Sequence, residues 1–291
     1  MMQLKQSKRK NVKLRLGISG ASGFGKTHSA LLLAHGMTGD WSKIAVVDTE
    51  NSSASLYSDL GEFNVLDLSA PYSPQRYIEA IEVCEKAEIE VIIIDSITHE
   101  WNGSGGCLDI QAKLGGRFQD WAKVTPLHQS FIDKILQSTC HIITTTRRKV
   151  DYSLDVVGSR TQVVKHGTKE ITREGFEYEL TVNFELVNDN HLAKASKDRT
   201  GLFMNRPEFV ITSKTGERLL NWCNAKPTTI KDVVGQINGA LTISELTKLY
   251  NENPSFQQSL QPQFRSKKEQ LEKLINPQNF SQNGNSISNR T

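Results

Sequence analysis

The sequence predicts an α/β fold in which a mostly parallel sheet carries helices on both faces. Val91–Asp95 is a run of β-branched residues closed by an aspartate, as in a strand buried on both faces. Strand-like and helix-like segments alternate between residues 14 and 146, the pattern of parallel strands joined by crossover helices. Between the first strand-like segment and the first helix-like one stands a glycine-rich turn, Gly20-Ala21-Ser22-Gly23-Phe24-Gly25-Lys26-Thr27.

Taken in order, residues 13–18 alternate apolar and polar and predict the first strand, and residues 27–35, rich in Ala and Leu, predict a helix. Residues 43–48 read as a buried strand and 63–68 as a weaker one. Pro74–Lys86 has apolar residues at helical spacing behind an opening proline. Val91–Asp95 is the central strand, 131–138 an amphipathic helix and 141–146 a further buried strand. The pattern then changes. Short strands are expected over 161–165, 177–186, 193–196 and 209–211, an antiparallel extension of the sheet with a hairpin near Gly167. Beyond Ala225, residues 243–250 and 264–275 read as two short helices, and 276–291, rich in Asn, Ser and Gln, as disordered. The expected organisation is a basic arm over 1–12, a core over 13–225, a helical appendage over 226–275 and the tail.

A net charge of +3 does not by itself announce a nucleic-acid binder. The basic residues Lys5, Lys8, Arg9, Lys10, Lys13 and Arg15 read either as a solvated arm or as phosphate contacts. Cys84, Cys107, Cys140 and Cys223 are scattered without C-x-x-C spacing, which argues against a zinc site or a disulfide framework. No apolar run is long enough to span a bilayer, and the polar N-terminus lacks the core of a signal peptide. A cytoplasmic protein with no membrane partner is expected.

The turn over residues 20–27 matches the phosphate-loop pattern G-x-x-x-x-G-K-[ST], between strand and helix where that pattern has physical meaning. Gly20, Gly23 and Gly25 let backbone N–H groups converge on a polyphosphate, with Ala21, Ser22, Phe24 and His28 completing the cradle. The helix N-terminus adds positive potential. Lys26 is placed to reach the β- and γ-phosphates of ATP, and Thr27 to ligate Mg²⁺. Asp95, ending the central strand, falls at the carboxyl edge of the sheet and is the expected second Mg²⁺ residue. Glu50, just past the second strand, is the candidate base that polarises water; Asp48, within the strand end, suits a structural role.

A glutamate in an Asp-Thr-Glu end to the second strand resembles the RecA-type recombinases and their archaeal and eukaryotic strand-exchange relatives. The combination is similar to phage-encoded RecA-like ATPases of the AAA-labelled class, some of which act in recombination or single-strand annealing. The residues carrying the resemblance are the phosphate loop, 48–52, 95–101, 144–147, 175–179 and 197–199. It implies a RecA-like core and a γ-phosphate sensor at Thr145, Thr146 or Arg147. It also implies that Lys197 and Arg199 reach into a neighbour's ATP site, so that the active form is a homo-oligomer, a ring or short filament. Two segments, 99–125 and 147–173, stand where such proteins grip DNA. Their candidates are Arg117, Trp121 and Lys123, and Arg148, Lys149, Arg160, Lys165 and Lys169, cations interleaved with aromatics as single-stranded DNA requires.

The expected function is that of a DNA-stimulated ATPase in phage recombination, annealing or replication, with a single-strand-binding or recombination protein as a possible partner. The competing classes are a P-loop nucleotide or small-molecule kinase, for which no arginine-rich lid or acceptor motif is found, a nucleotide-gated interaction protein with little turnover, and a ring helicase, for which no extra domain is found.

Overall fold

Strand β1 (Arg15–Gly20) is buried along its whole length, because strands flank it on both sides and helices cover both its faces. A computed structural model describes the protein at residues 9, 12–157, 160–225 and 229–275, in two compact units, Arg9–Asn224 and the residues from Ala225 on. Residues 1–8 of the expected arm and the whole expected tail lie outside the described residues.

In the first unit the chain runs β1, α1 (Lys26–Thr38), β2 (Ile44–Asp48), β3 (Asn64–Asp67), α2 (Pro74–Lys86) and β4 (Val91–Asp95). It continues through α3 (Thr98–Asn102), α4 (Cys107–Lys113), α5 (Trp121–Gln137), β5 (His141–Val157) and β6 (Arg160–Glu170). It ends with β7 (Val182–Leu186), β8 (Leu192–Asp198), β9 (Phe209–Val210) and α6 (Ser213–Asn224). The sheet order is β3-β2-β4-β5-β1-β7-β8-β9, with β6 paired to β5. The six strands β3 to β7 along that order are parallel, and β8 and β9 extend the sheet antiparallel. This is the α/β fold expected of a RecA-like P-loop core, with β5 inserted between the loop's strand and that of Asp95.

Period-two alternation sorts the core. Ile44 and Val46 join Leu16 and Ile18 in packing against α1 and α6, while Ala45 and Val47 join Ile92 and Ile94 against α2 and α5. The parallel strands therefore lack the half-exposed alternation that residues 13–18 imply. Arg15, expected in the basic arm, is buried, and its guanidinium donates to the carbonyls of Leu14, Leu136, Ser138 and Cys140 at 2.7–3.1 Å. Two of those carbonyls belong to the C-terminal end of α5, where acceptors lack helical partners.

Three expectations of local structure are corrected. Residues 99–125, given no helix by the sequence pattern, are largely helical, and α5 begins ten residues ahead of the expected 131. Pro126 removes one helical donor, but burial of Val124, Phe131, Ile132 and Ile135 along one stripe holds the helix together. Most of 147–173 is a long antiparallel β5–β6 pair, running from Arg148 opposite Glu170 to Val157 opposite Arg160. Gly167 is inside β6, with φ +99° where the register shifts between Val150 and Tyr152, so it marks a bulge rather than the turn. Finally, 177–186 is a strand only from Val182, and α6 has no counterpart in the sequence reading.

The second unit contains α7 (Ile230–Gly239), α8 (Ile243–Glu252) and α9 (Gln261–Ile275) around Val233, Ile237, Leu246, Leu260, Phe264 and Leu271. Thr229 and Thr242 cap α7 and α8 by accepting from Asp232 N and Glu245 N. The sequence reading anticipates α8 and α9 but not α7.

Candidate active site

Gly23 and Gly25 have φ +83° and +86°, the left-handed region that turns β1 back into α1. Gly25 has a second constraint: a Cβ there would stand 2.6 Å from His191 Nδ1. His191 reaches over from the β7–β8 turn, with Nδ1 2.8 Å from the Phe24 carbonyl. The turn walls a cavity of about 340 Å³. Ser22, Gly23, Gly25, Lys26, Thr27 and His28 form one side of it, facing Glu50, Asp95 and Arg147, and Tyr57 and His191 complete the lining.

The strand ends supply the opposite side because β2 and β4 run parallel in register, Asp48 beside Asp95. Asp95 is buried, accepting from Thr27 Oγ1 at 2.5 Å and Thr145 Oγ1 at 2.5 Å. Burial holds its carboxyl above the ordinary range, Glu50 and Asp48 act in the same direction, and the two hydroxyls oppose them. Lys26 is buried, donating to the Ala21 carbonyl at 2.9 Å. Burial lowers its pKa, against the raising effect of Asp95 and Glu50. Asp48 accepts from Glu50 N (2.6 Å) and Ala54 N (2.7 Å), the structural role its position implies.

Glu50 is paired. Arg147 donates to its Oε1 from Nε at 2.9 Å and stands 2.8 Å away through Nη2, with Ser96 Oγ at 3.4 Å. Thr49, between the two acids, accepts from Ser96 N and has His99 Nδ1 2.8 Å from its hydroxyl. Burial first, then the Arg147 charge, lowers the His99 pKa.

Of the expected sensor residues, Thr145 and Arg147 meet the site. Thr146 is buried and does not line the cavity. Successive strand residues face opposite ways, so placing Thr145 on Asp95 turns Thr146 away. Gly20, Ala21 and Phe24 shape the turn without lining it. Lys197 donates to the carbonyls of Glu177 (2.7 Å) and Tyr178, and Arg199 to Tyr178 (2.7 Å); neither lines this cavity. Tyr57 and His191 escaped the sequence reading because neither sits in a motif.

The donor set fits a hard divalent cation: the Thr27 hydroxyl and Asp95 carboxylate are adjacent oxygens at the foot of a phosphate-sized turn, as Mg²⁺ requires beside a nucleotide. Compared with known proteins, the chain matches the profile described as "AAA domain" over residues 12–232. The chain belongs to the AAA domain family. This AAA domain is thus a nucleotide-binding P-loop ATPase domain, a class that usually binds Mg²⁺ with its nucleotide. Among solved structures it is similar to a KaiC-like protein, PH0186, from Pyrococcus horikoshii OT3, at 15% identity and a TM-score of 0.40 over 69% of this chain and 87% of that one. No curated protein matches it. No helix among the described residues is long and apolar enough to cross a membrane.

A second cleft, about 450 Å³, lies where the two segments marked for DNA meet. Trp101, Asn102 and Leu108 line it from one segment, and Lys149, Lys169 and Arg173 from the other. The other nucleic-acid candidates divide. Arg117 and Lys123 are exposed, and Phe118 beside Arg117 is 92% exposed. Trp121 stacks on Trp101 with centroids 5.5 Å apart. Arg148 is instead a strut, lying 3.5 Å from both Glu170 and Glu185 and donating to Thr168 Oγ1 at 2.9 Å, so it is withdrawn as a free cation. Arg160 and Lys165 are placed by backbone only, opposite Val157 and Tyr152 in the hairpin.

Proposed function

We propose that this AAA domain is a Mg²⁺-dependent ATPase stimulated by single-stranded DNA, serving phage-type recombination, annealing or replication in the bacterial cytoplasm. The observation that carries the reading is the continuity of β5: it presents Arg147 to the nucleotide cavity and Lys149 to the Trp101 cleft. Lys149, Lys169 and Arg173 would follow a phosphate backbone while Trp101 offers a ring for a base.

In this reading the turn amides and Lys26 hold the β- and γ-phosphates, and Thr27 and Asp95 hold the metal. Bound Mg²⁺ supplies positive charge against the phosphate oxygens. Glu50 orients a water in line with the γ-phosphorus and takes its proton as the new P–O bond forms and the bond to the bridging oxygen of ADP breaks. Lys197 and Arg199 act on a neighbouring subunit's nucleotide, which requires a homo-oligomer and release of the Glu177 and Tyr178 carbonyls. The Arg147 pair holds Oε1 of Glu50, and in this reading turnover is slow until the pair parts and both carboxylate oxygens open to water. Permanent pairing instead describes a nucleotide-gated interaction protein.

Steady-state ATP hydrolysis with and without single-stranded DNA tests the reading, with Lys26→Ala as the blank. The expected result is stimulation that fades as salt rises and a loss of roughly a hundredfold or more in Glu50→Gln with nucleotide still bound. Hydrolysis indifferent to DNA sinks the DNA-stimulated reading; rates unaffected by Glu50→Gln favour the gated one.

A further inference from the structure

Outside the nucleotide site, three metal-ligating side chains from three helices converge among the described residues: Glu100 of α3, Cys107 of α4 and His128 of α5. All three are buried. His128 Nδ1 stands 3.0 and 3.1 Å from the two Glu100 carboxylate oxygens, and Cys107 Sγ donates to Oε1 at 3.1 Å. We propose that Glu100, Cys107 and His128 form a zinc site that ties α3, which follows Asp95, to α4 and α5.

The chemistry favours the ion. Thiolate, imidazole and carboxylate together are a zinc donor set. Tetrahedral Zn²⁺ with metal–ligand bonds of about 2.0–2.3 Å separates its donors by roughly 3.4–3.6 Å, so His128 and Cys107 each need draw only about half an ångström away from Glu100, and all three donor atoms already lie within 4.8 Å of one another. Charge also balances. Zn²⁺ with a carboxylate, a thiolate and a neutral imidazole is neutral overall, which a buried site requires. In the metal-free chain the Cys107 thiol keeps its proton, held there by burial and by Glu100. Zinc displaces that proton to solvent, with no change of oxidation state, and the His128 hydrogen moves from Nδ1 to Nε2, leaving the Nδ1 lone pair to the metal. Affinity therefore rises about tenfold or more per pH unit. The scattered cysteines argue against a zinc site, but spacing along the sequence cannot register one cysteine, one histidine and one glutamate that three separate helices bring together. Trp101, edge-on to His128 with centroids 5.5 Å apart, ties the cluster to the cleft.

The test loads the full-length protein with Zn²⁺ or Co²⁺, removes free metal and measures content and spectrum. The expected result is about one metal per chain, an intense thiolate-to-cobalt band, and a quenched or shifted Trp fluorescence. Cys107→Ser and His128→Gln lower affinity more than about a hundredfold, whereas Cys84→Ala, Cys140→Ala and Cys223→Ala keep the band. Absence of binding at micromolar free metal by protein that still binds nucleotide overturns the proposal. So does a cobalt protein without the thiolate band, or a band that survives in Cys107→Ser. If the ligand variants fail to fold, the wild-type spectrum and the three alanine variants decide it.

Discussion

His141 accepts a hydrogen bond from the Leu14 amide on Nδ1 at 3.0 Å, so the ring is neutral in the folded protein. Burial, with Lys13 and Arg15 acting in the same direction, holds its pKa down to about 4, against 6.5 for a free ring. Because the folded value is the lower one, the unfolded chain takes up the proton first. Stability is full above about 6.5 and falls as the pH drops toward about 4, by on the order of 3 kcal/mol. His141→Gln, which keeps an acceptor but cannot titrate, is expected to lose that part of the slope in urea titrations at pH 7.5 and 4.5. Arg15 poses the companion case. Arg15→Met leaves the carbonyls of Leu136, Ser138 and Cys140 without their donor and is expected to cost roughly 3 kcal/mol in the same titrations. Neither role is legible locally: three of the four acceptors of Arg15 lie more than 120 residues along the chain. In the site, Gly25, Lys26, Thr27 and Asp95 are legible because the phosphate loop is contiguous and Asp95 ends a run that can only be central. The partner of Glu50 is not, since Arg147 meets it only when β5 lies beside β4.

Helices α1 and α6 touch backbone to backbone. A Cβ on Gly36 would stand 1.8 Å from the Ser213 carbonyl, and one on Gly216 2.1 Å from that of Leu33. Alanine gains about 1 kcal/mol of helix propensity over glycine, but overpacking against fixed main chain costs about 1–3 kcal/mol or more. Gly216→Ala is therefore expected to destabilise by about 2 kcal/mol, whereas Gly235→Ala in α7, where a Cβ meets nothing within 4 Å, stabilises by up to about 1 kcal/mol. Thermal and urea midpoints of the two variants check the contrast. The same glycine explains why α6 goes unread: a Gly within a polar stretch signals a turn until its helix partner is known. By contrast, Pro74–Lys86 and Val91–Asp95 have the bounds the sequence implies, because an N-terminal proline and an unbroken β-branched run act locally. For the hairpin, the exposed face of Lys149 and Lys169 is the element under test. Lys149→Ala and Lys169→Ala are each expected to reduce the salt slope of single-strand affinity by about 1, and Arg148→Ala to act instead on stability.

The nucleotide cavity is lined wholly by residues between Ser22 and His191, and α7 to α9 have a core of their own. A chain ending at Asn224 is expected to keep its nucleotide response, a gain of about 2.7 kcal/mol at a hundredfold excess over Kd, measured by the shift in thermal midpoint with ATP and Mg²⁺. At this scale the fold class, parallel strands under helices with an antiparallel extension, is legible from alternation, whereas the strand order and the span of β5 from the nucleotide cavity to the Trp101 cleft are not. Arg147 and Lys149 sit two residues apart on one strand, about 7 Å of extended backbone. Under the proposed function, a polyphosphate at one and an oligonucleotide at the other would fall within about one Debye length of each other in physiological salt. Neither anion can bind without altering the field felt by its neighbour. Linkage makes that influence mutual: whatever factor an oligonucleotide applies to the dissociation constant of ATP, ATP returns to the oligonucleotide unchanged, and titration from either end measures the same coupling.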